Sequence, residues 1–180
     1  MKRLACNTDW GCLNVLHKEI EDPEGYEEHW NYTEFKDKII LDLGADYGST
    51  ASWFFKKGAK KVISIECDRN RFSQLIENFG EDQDVICIKE KVNTKEQFND
   101  LVTKYSPDIV KADIEGAEEF FLKMTKGELR GTKEYLIEYH GKKILGELCT
   151  WFVKAGFYVR VCWINPWERD ECGVIYAKIL

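Results

Sequence analysis

The stretch "KDKIILDLGADYGSTASWFF", Lys36 to Phe55, decides the fold. An apolar run ends at Asp42 and Leu43, glycines stand four apart at Gly44 and Gly48, and a helix-like segment opens at Ser49. A strand that merely turns into its helix has no need of such a loop. Gly44 lets the backbone bend sharply and approach a ligand with no β-carbon in the way. Gly48 is expected to let the next helix start close against the sheet, and amides at a helix start can hold a carboxylate or phosphate. The loop stands at the carboxyl end of the first strand, where open α/β sheets bind their ligands. A glycine-rich turn with no ligand is the competing reading of these residues alone.

The same rhythm continues outward. The apolar runs "IILDL", "KVISIE", "DVICI", "DIVKADI" and "YLIEYH" alternate with amphipathic stretches of helical length, among them "RNRFSQLIENFG", "TKEQFNDLVTKY", "GAEEFFLKM" and "ILGELCTWFVKAG". Apolar strands spaced by helices predict a parallel sheet covered on both faces. After Gly156 the rhythm changes: "FYVRVCWI" and "CGVIYAKIL" are two strand-like runs separated only by "NPWERDE". Two strands without a crossover helix pair antiparallel. The expectation is an α/β fold of about seven strands, mostly parallel, with a C-terminal antiparallel hairpin and helices on both faces.

Composition narrows the field. With 180 residues, 44% hydrophobic and 32% charged, the chain is expected to hold one main domain. Residues 1–36 read as an N-terminal lid or extension and 37–180 as the ligand-binding domain. The net charge of −6 speaks against a broad nucleic-acid surface. The seven cysteines form no C-x-x-C pair, and "MKRLACNTDWG" reaches polar residues before any apolar region forms. These features predict a reduced, cytoplasmic protein. No apolar run approaches a membrane span.

The second strand sharpens the ligand. "KKVISIECDRNRFSQLIENF" carries Glu66 about twenty residues beyond Gly44, where an acid can accept both ribose hydroxyls of a nucleoside. Dinucleotide folds want G-x-G-x-x-G, but here Ala45 and Asp46 replace the middle glycine. A carboxylate at Asp46 repels a pyrophosphate and attracts a sulfonium and an ammonium. That charge favours S-adenosylmethionine over NAD.

On these residues the chain resembles the class I S-adenosylmethionine-dependent methyltransferases, which have a Rossmann-like fold. "DIVKADIEGAEEFFL" resembles the D-x-E-G-x-E signature of the FkbM-type members, and "EYLIEYHG" is similar to that family's following strand. The likeness covers about Lys38 to Leu180. It implies that Asp42, Gly44, Ala45, Asp46, Tyr47 and Gly48 surround the methionine part of the cofactor. It implies further that Glu66 holds the ribose, that Cys67 and Asp68 line the adenosine, and that Glu90 stands near the adenine amine. S-adenosylhomocysteine would be the product. The acceptor implied is a hydroxyl on a small molecule or sugar.

Methyl transfer needs an acceptor held in line with the methyl and, for a hydroxyl, a group to take its proton. Asp113, Glu115 and His140 are the candidates, with Asp113 also near the cofactor. Glu118 reads as a helix cap. Glu138 and His140 alternate on the fifth strand and so share a face. With Asp113 and Glu115 they could gather a divalent metal, although acidic clusters are more often structural. Trp10, Trp30 and Tyr32 are candidates for an acceptor pocket or for lid anchors, Trp163 and Trp167 flank the hairpin turn near where acceptors sit in the resembled fold, and His17 and His29 are expected to be exposed. Two alternatives stay open: an RNA or protein acceptor, and a cofactor-binding module without catalysis.

Overall fold

A computed structural model describes residues 25–164 and 172–180. Most of the expected lid, including Trp10 and His17, and the hairpin residue Trp167 lie outside the described residues. The chain divides into two compact units, Met1–Lys91 and Val92–Leu180.

In the first unit the strands are β1 (Ile39–Leu43), β2 (Lys61–Glu66) and β3 (Val85–Lys89), preceded and separated by helices α1 (Tyr26–Trp30), α2 (Ser49–Lys56) and α3 (Arg69–Phe79). All pairings are parallel, in the order β3-β2-β1, with Leu41 opposite Ile63 and Ile63 opposite Ile86. Ile40, Leu41, Leu43, Val62 and Ile63 are all buried, so both faces of β1 and β2 are covered, as the unbroken apolar runs require. Against them sits an aromatic cluster in which Phe35 meets Trp53 and Phe54 at ring separations of 5.3 and 5.2 Å. His29 is half-buried rather than exposed, because its ring stacks on buried Trp30 at 4.5 Å. Trp30 therefore anchors the segment before β1. Lys57 ties the same segment down through an ion pair to Glu27 at 2.6 Å.

The second unit contains α4 (Lys95–Tyr105), β4 (Ile109–Ala112), a 3-10 helix (Glu118–Lys123), α5 (Lys126–Leu129), β5 (Glu134–His140), α6 (Lys142–Lys154), β6 (Phe157–Ile164) and β7 (Cys172–Ile179). Its strand order is β4-β5-β7-β6. β4 and β5 run parallel, and β7 is antiparallel to both β5 and β6, so the terminal hairpin is as expected. The core is aromatic: Phe121, Tyr135, Phe152 and Phe157 are all buried, with Tyr135 5.1 Å from Phe152 and 5.7 Å from Phe157. The Tyr135 hydroxyl donates to the Leu129 carbonyl at 2.6 Å, which satisfies the one polar atom this ring carries into the core.

"GAEEFFLKM" departs from expectation. It forms a 3-10 helix rather than an α-helix, and the short α5 follows it after Thr125. The Phe120 and Phe121 rings lie 4.2 Å apart, tilted by 34° and both buried, so two successive side chains turn inward.

Helix α5 has a reciprocal cap: the Thr125 hydroxyl accepts from the Glu128 amide while the Glu128 carboxylate accepts from the Thr125 amide. Asn99 donates to Glu128 at 2.8 Å and Lys95 stands 3.4 Å away. The Thr125 backbone bond, then the Thr125 hydroxyl, then Asn99 and Lys95 lower the Glu128 pKa from 4.5 to about 2. A carboxylate whose folded pKa is depressed stabilises the fold above its unfolded pKa and loses that contribution as pH falls through the folded one. Stability should therefore decline between pH 4.5 and about 2 through this residue. Thermal unfolding followed across that window should show a flatter acid limb for Glu128→Gln than for the parent chain.

Candidate functional site

The bend after β1 belongs wholly to the first unit. Gly44, Asp46 and Gly48 have φ of 77°, 50° and 95°, in the left-handed region. The loop is held from several sides. The Gly44 and Ala45 amides both donate to the Ile65 carbonyl, at 3.0 and 2.9 Å, and the Gly48 amide donates to the Ala45 carbonyl at 2.8 Å. Glu66, 5% exposed at the end of β2, accepts from the Asp46 amide on one carboxylate oxygen at 2.9 Å. Its other oxygen accepts from the Asp68 amide at 2.7 Å. One carboxylate thus couples the bend to the start of α3. Asn78, buried on α3, adds a bond from its side-chain amide to the Tyr47 carbonyl at 2.9 Å.

Gly48 is needed for closeness, though not to the sheet. A Cβ there would lie 2.5 Å from Cε2 of Phe79 and 3.0 Å from Cδ1 of Leu75, so it is α3 that approaches. Asp42 is fully buried and accepts from the Thr50 hydroxyl at 2.5 Å, which fixes the first turn of α2 to the end of β1. Ala45 and Tyr47 are buried too, so they shape the bend, while Gly44 and Asp46 are half-buried.

Two of the candidate carboxylates already have partners within the unit. Asp46 already faces a cation, because Arg71 Nε lies 3.3 Å from its carboxylate. Asp68 is the N-cap of α3, accepting from the Asn70 and Arg71 amides at 2.8 and 2.9 Å. The Arg71 amide chiefly holds the Asp68 carboxyl below its ordinary range. Cys67 is exposed beside it, and the Glu90 amide donates to the Glu66 carbonyl at 3.3 Å. Neither Asn78 nor Arg71 was singled out from sequence. Each sits in an ordinary amphipathic helix pattern that carries no sign of a loop to be held.

The second unit gathers a different set. Asp113 stands one residue beyond the end of β4, and Glu115 follows in a turn with φ 50°. His140 ends β5, where Nδ1 is 3.0 Å from a Glu118 oxygen and Nε2 is 3.6 Å from a Glu115 oxygen. Glu118, expected to cap a helix, is instead 1% exposed and reaches His140, while also accepting from the Gly116 amide at 3.2 Å. The hydrogen bond to Glu118, against the opposing effect of burial, and with the charges of Glu118, Glu138 and Glu115, raises the His140 pKa to about 9. The shift favours the imidazolium form, a donor rather than a proton acceptor. Burial, offset by Lys111 and reinforced by Glu138 and Glu115, pushes Asp113 up to about 6.

Lys111 is 1% exposed within β4 and lies 3.9 Å from the Asp113 carboxylate. A lysine inside the apolar run "DIVKADI" was the available sign of a buried charge, since an ammonium is buried only with partners. Cys172, opposite His140 across the β5–β7 ladder, donates from Sγ to Glu138 at 2.8 Å.

The likeness to solved structures is in the fold. Aeropyrum pernix fibrillarin, solved with natively bound S-adenosyl-L-methionine, aligns over 79% of this chain and 66% of its own, 19% identical, TM-score 0.58. Precorrin-6y C5,15-methyltransferase from Geobacter metallireducens aligns over 81% of each chain, 15% identical, TM-score 0.58. The fold is the Rossmann-like one of class I S-adenosylmethionine-dependent methyltransferases, and the chain spans about two thirds of that fibrillarin's length. No family model matches the chain. Uncharacterized protein 158B of Sulfolobus islandicus rod-shaped virus 1 is 31% identical over 116 residues, covering 64% of this chain and 68% of that protein. The chain belongs to the family of this viral protein.

The Glu118–His140 contact yields a direct prediction. A raised histidine pKa means that the pair stabilises the fold below the ordinary value of 6.5 and stops doing so as pH rises through about 9. Glu118→Gln should move the His140 titration down by about 1–2 pH units, read from the imidazole resonances in an NMR titration. An unmoved midpoint would show that the buried carboxylate is not what holds the proton.

Proposed function

We propose that this chain is an S-adenosylmethionine-dependent methyltransferase, FkbM-like, that moves a methyl group to a hydroxyl oxygen of a small molecule or sugar. The observation that carries the reading is the Glu66 carboxylate, bonded at once to the Asp46 and Asp68 amides beside the left-handed bend at Gly44. Each carboxylate oxygen accepts more than one hydrogen bond. Glu66 can therefore keep both amides and still take the two ribose hydroxyls of the cofactor. The fold shared with a fibrillarin that carries S-adenosyl-L-methionine supports the same reading.

Within the first unit the resemblance suggests a division of labour. Gly44 allows close approach to the cofactor's methionine part. Asp46 supplies a carboxylate for the cofactor's ammonium or sulfonium, and Arg71, its present partner, is then available to the cofactor's own carboxylate. Cys67 and Asp68 border the adenosine, and Glu90 is the candidate partner of the adenine amine. Bound cofactor supplies an activated methyl group. In the second unit Asp113 is the group offered for the acceptor's proton. Glu115 and His140 orient the acceptor, His140 as a donor fixed by Glu118. A small neutral or cationic acceptor suits a chain of net charge −6 better than a nucleic acid does.

Titration calorimetry with S-adenosylmethionine and S-adenosylhomocysteine tests the cofactor assignment. Binding with Kd below about 1 mM is expected. Glu66→Gln should weaken it by about 10- to 100-fold, the range for hydrogen bonds to a charged group. Asp113→Asn should abolish transfer to a hydroxyl acceptor while the chain still binds cofactor within about 10-fold of the parent. No heat with either ligand at millimolar concentration would remove the proposal.

A further inference from the structure

Three side chains of the second unit lie on one face of a ladder that leaves them little freedom. Glu138 and His140 are two apart on β5 and so project to the same side. Cys172 begins β7 directly opposite His140 in the antiparallel register. Their ligand atoms, an imidazole nitrogen, a carboxylate oxygen and a thiol sulfur, all fall within 4.8 Å of one another. Glu138 and Cys172 are each 8% exposed, so water competes poorly for them. A second set, Asp113, Glu115 and His140, meets the same 4.8 Å limit and shares the imidazole.

We propose that Glu138, His140 and Cys172 form a binding site for a divalent transition metal of the zinc class, with Asp113 and Glu115 beside it as further oxygen donors. The mixed donor set is what selects the ion. Thiolate and imidazole suit zinc, cobalt and iron, whereas magnesium and calcium want oxygen alone. Metal–ligand bonds of about 2.0–2.3 Å put neighbouring donors roughly 3–4 Å apart, so small side-chain turns close the site. The ring is held in place for it, and the ion would displace the proton that Nε2 otherwise carries. Glu118, itself 1% exposed, bonds Nδ1 at 3.0 Å and leaves Nε2 facing the carboxylate side, where Glu115 stands at 3.6 Å. A carboxylate behind a histidine is the usual outer partner of a metal-bound imidazole. The charges agree. Four carboxylates, of Asp113, Glu115, Glu118 and Glu138, surround one imidazole, and a divalent cation relieves the excess. Three protein donors leave a fourth position open to an oxygen ligand.

The site rests on the second unit alone and does not depend on the methyltransferase reading. Cobalt(II) added to the full chain, with no nucleoside present, is the probe. One equivalent should bind, with d–d bands and a thiolate-to-cobalt charge-transfer band that zinc(II) abolishes. Cys172→Ser should remove the charge-transfer band, and Cys67→Ser should not. Glu118→Gln should weaken binding by about 10- to 100-fold. In case a variant fails to fold, zinc-edge X-ray absorption on the unmodified zinc-loaded chain decides the matter. One sulfur near 2.3 Å with nitrogen and oxygen near 2.0–2.2 Å is the expected shell. A shell with no sulfur or with several, no cobalt binding, or a charge-transfer band that survives Cys172→Ser in a folded variant would overturn the site. Calorimetry with S-adenosylmethionine is a separate experiment, so either proposal can fail while the other stands.

Discussion

The first unit turns on one carboxylate serving two amides. Glu66 is nearly buried, and an ionised group in that position is tolerable only when its oxygens are bonded. The Asp46 and Asp68 amides meet that need and are met by it, so the bend after β1 and the start of α3 are fixed relative to one another. The left-handed conformation of Asp46, uncommon for a residue with a side chain, persists because its amide has this partner. Asn78 and the Phe79 contact against Gly48 close the same loop from α3. The bend is therefore formed before any ligand arrives, and a preformed bend spares a ligand the cost of ordering it.

The second unit uses sheet register for a comparable end. β5 is paired with β4 on one side and β7 on the other, and the register puts His140 against Cys172 with Glu138 two residues back. The 3-10 helix then brings Glu118 to Nδ1 of the ring. A regular α-helix over "GAEEFFLKM" would distribute its side chains differently. The tight turn that buries the Phe120–Phe121 pair belongs to the same short segment that delivers Glu118 to the histidine.

Much of this was legible in the sequence. The strands "IILDL", "KVISIE" and "FYVRVCWI" coincide with β1, β2 and β6, because largely apolar runs bounded by glycine or charge leave little choice of limits. The hairpin followed from the lack of a helix between its strands. Glu66 could be found because its distance from the glycine loop is set by one strand–helix–strand unit. What could not be read were the contacts that depend on side-chain direction. Glu118 looked like a cap because acids favour helix starts, and only the 3-10 geometry shows it turned inward toward His140. Cys172 belongs to no C-x-x-C pair, and only the register sets it opposite His140. Arg71 and Asn78 lie in a helix whose periodicity explains them without any loop. Pairing across strands and between helix and loop leaves no local pattern to find.

The proposed cofactor site stands or falls on what Glu66 does with its remaining lone pairs. A crystal structure of the chain with S-adenosylhomocysteine measures this directly. Both ribose hydroxyls should lie within about 3.2 Å of the Glu66 carboxylate, with the Asp46 and Asp68 amides still bonded to it. A nucleoside bound elsewhere, or a Glu66 that keeps its two amides and touches no ribose, would contradict it.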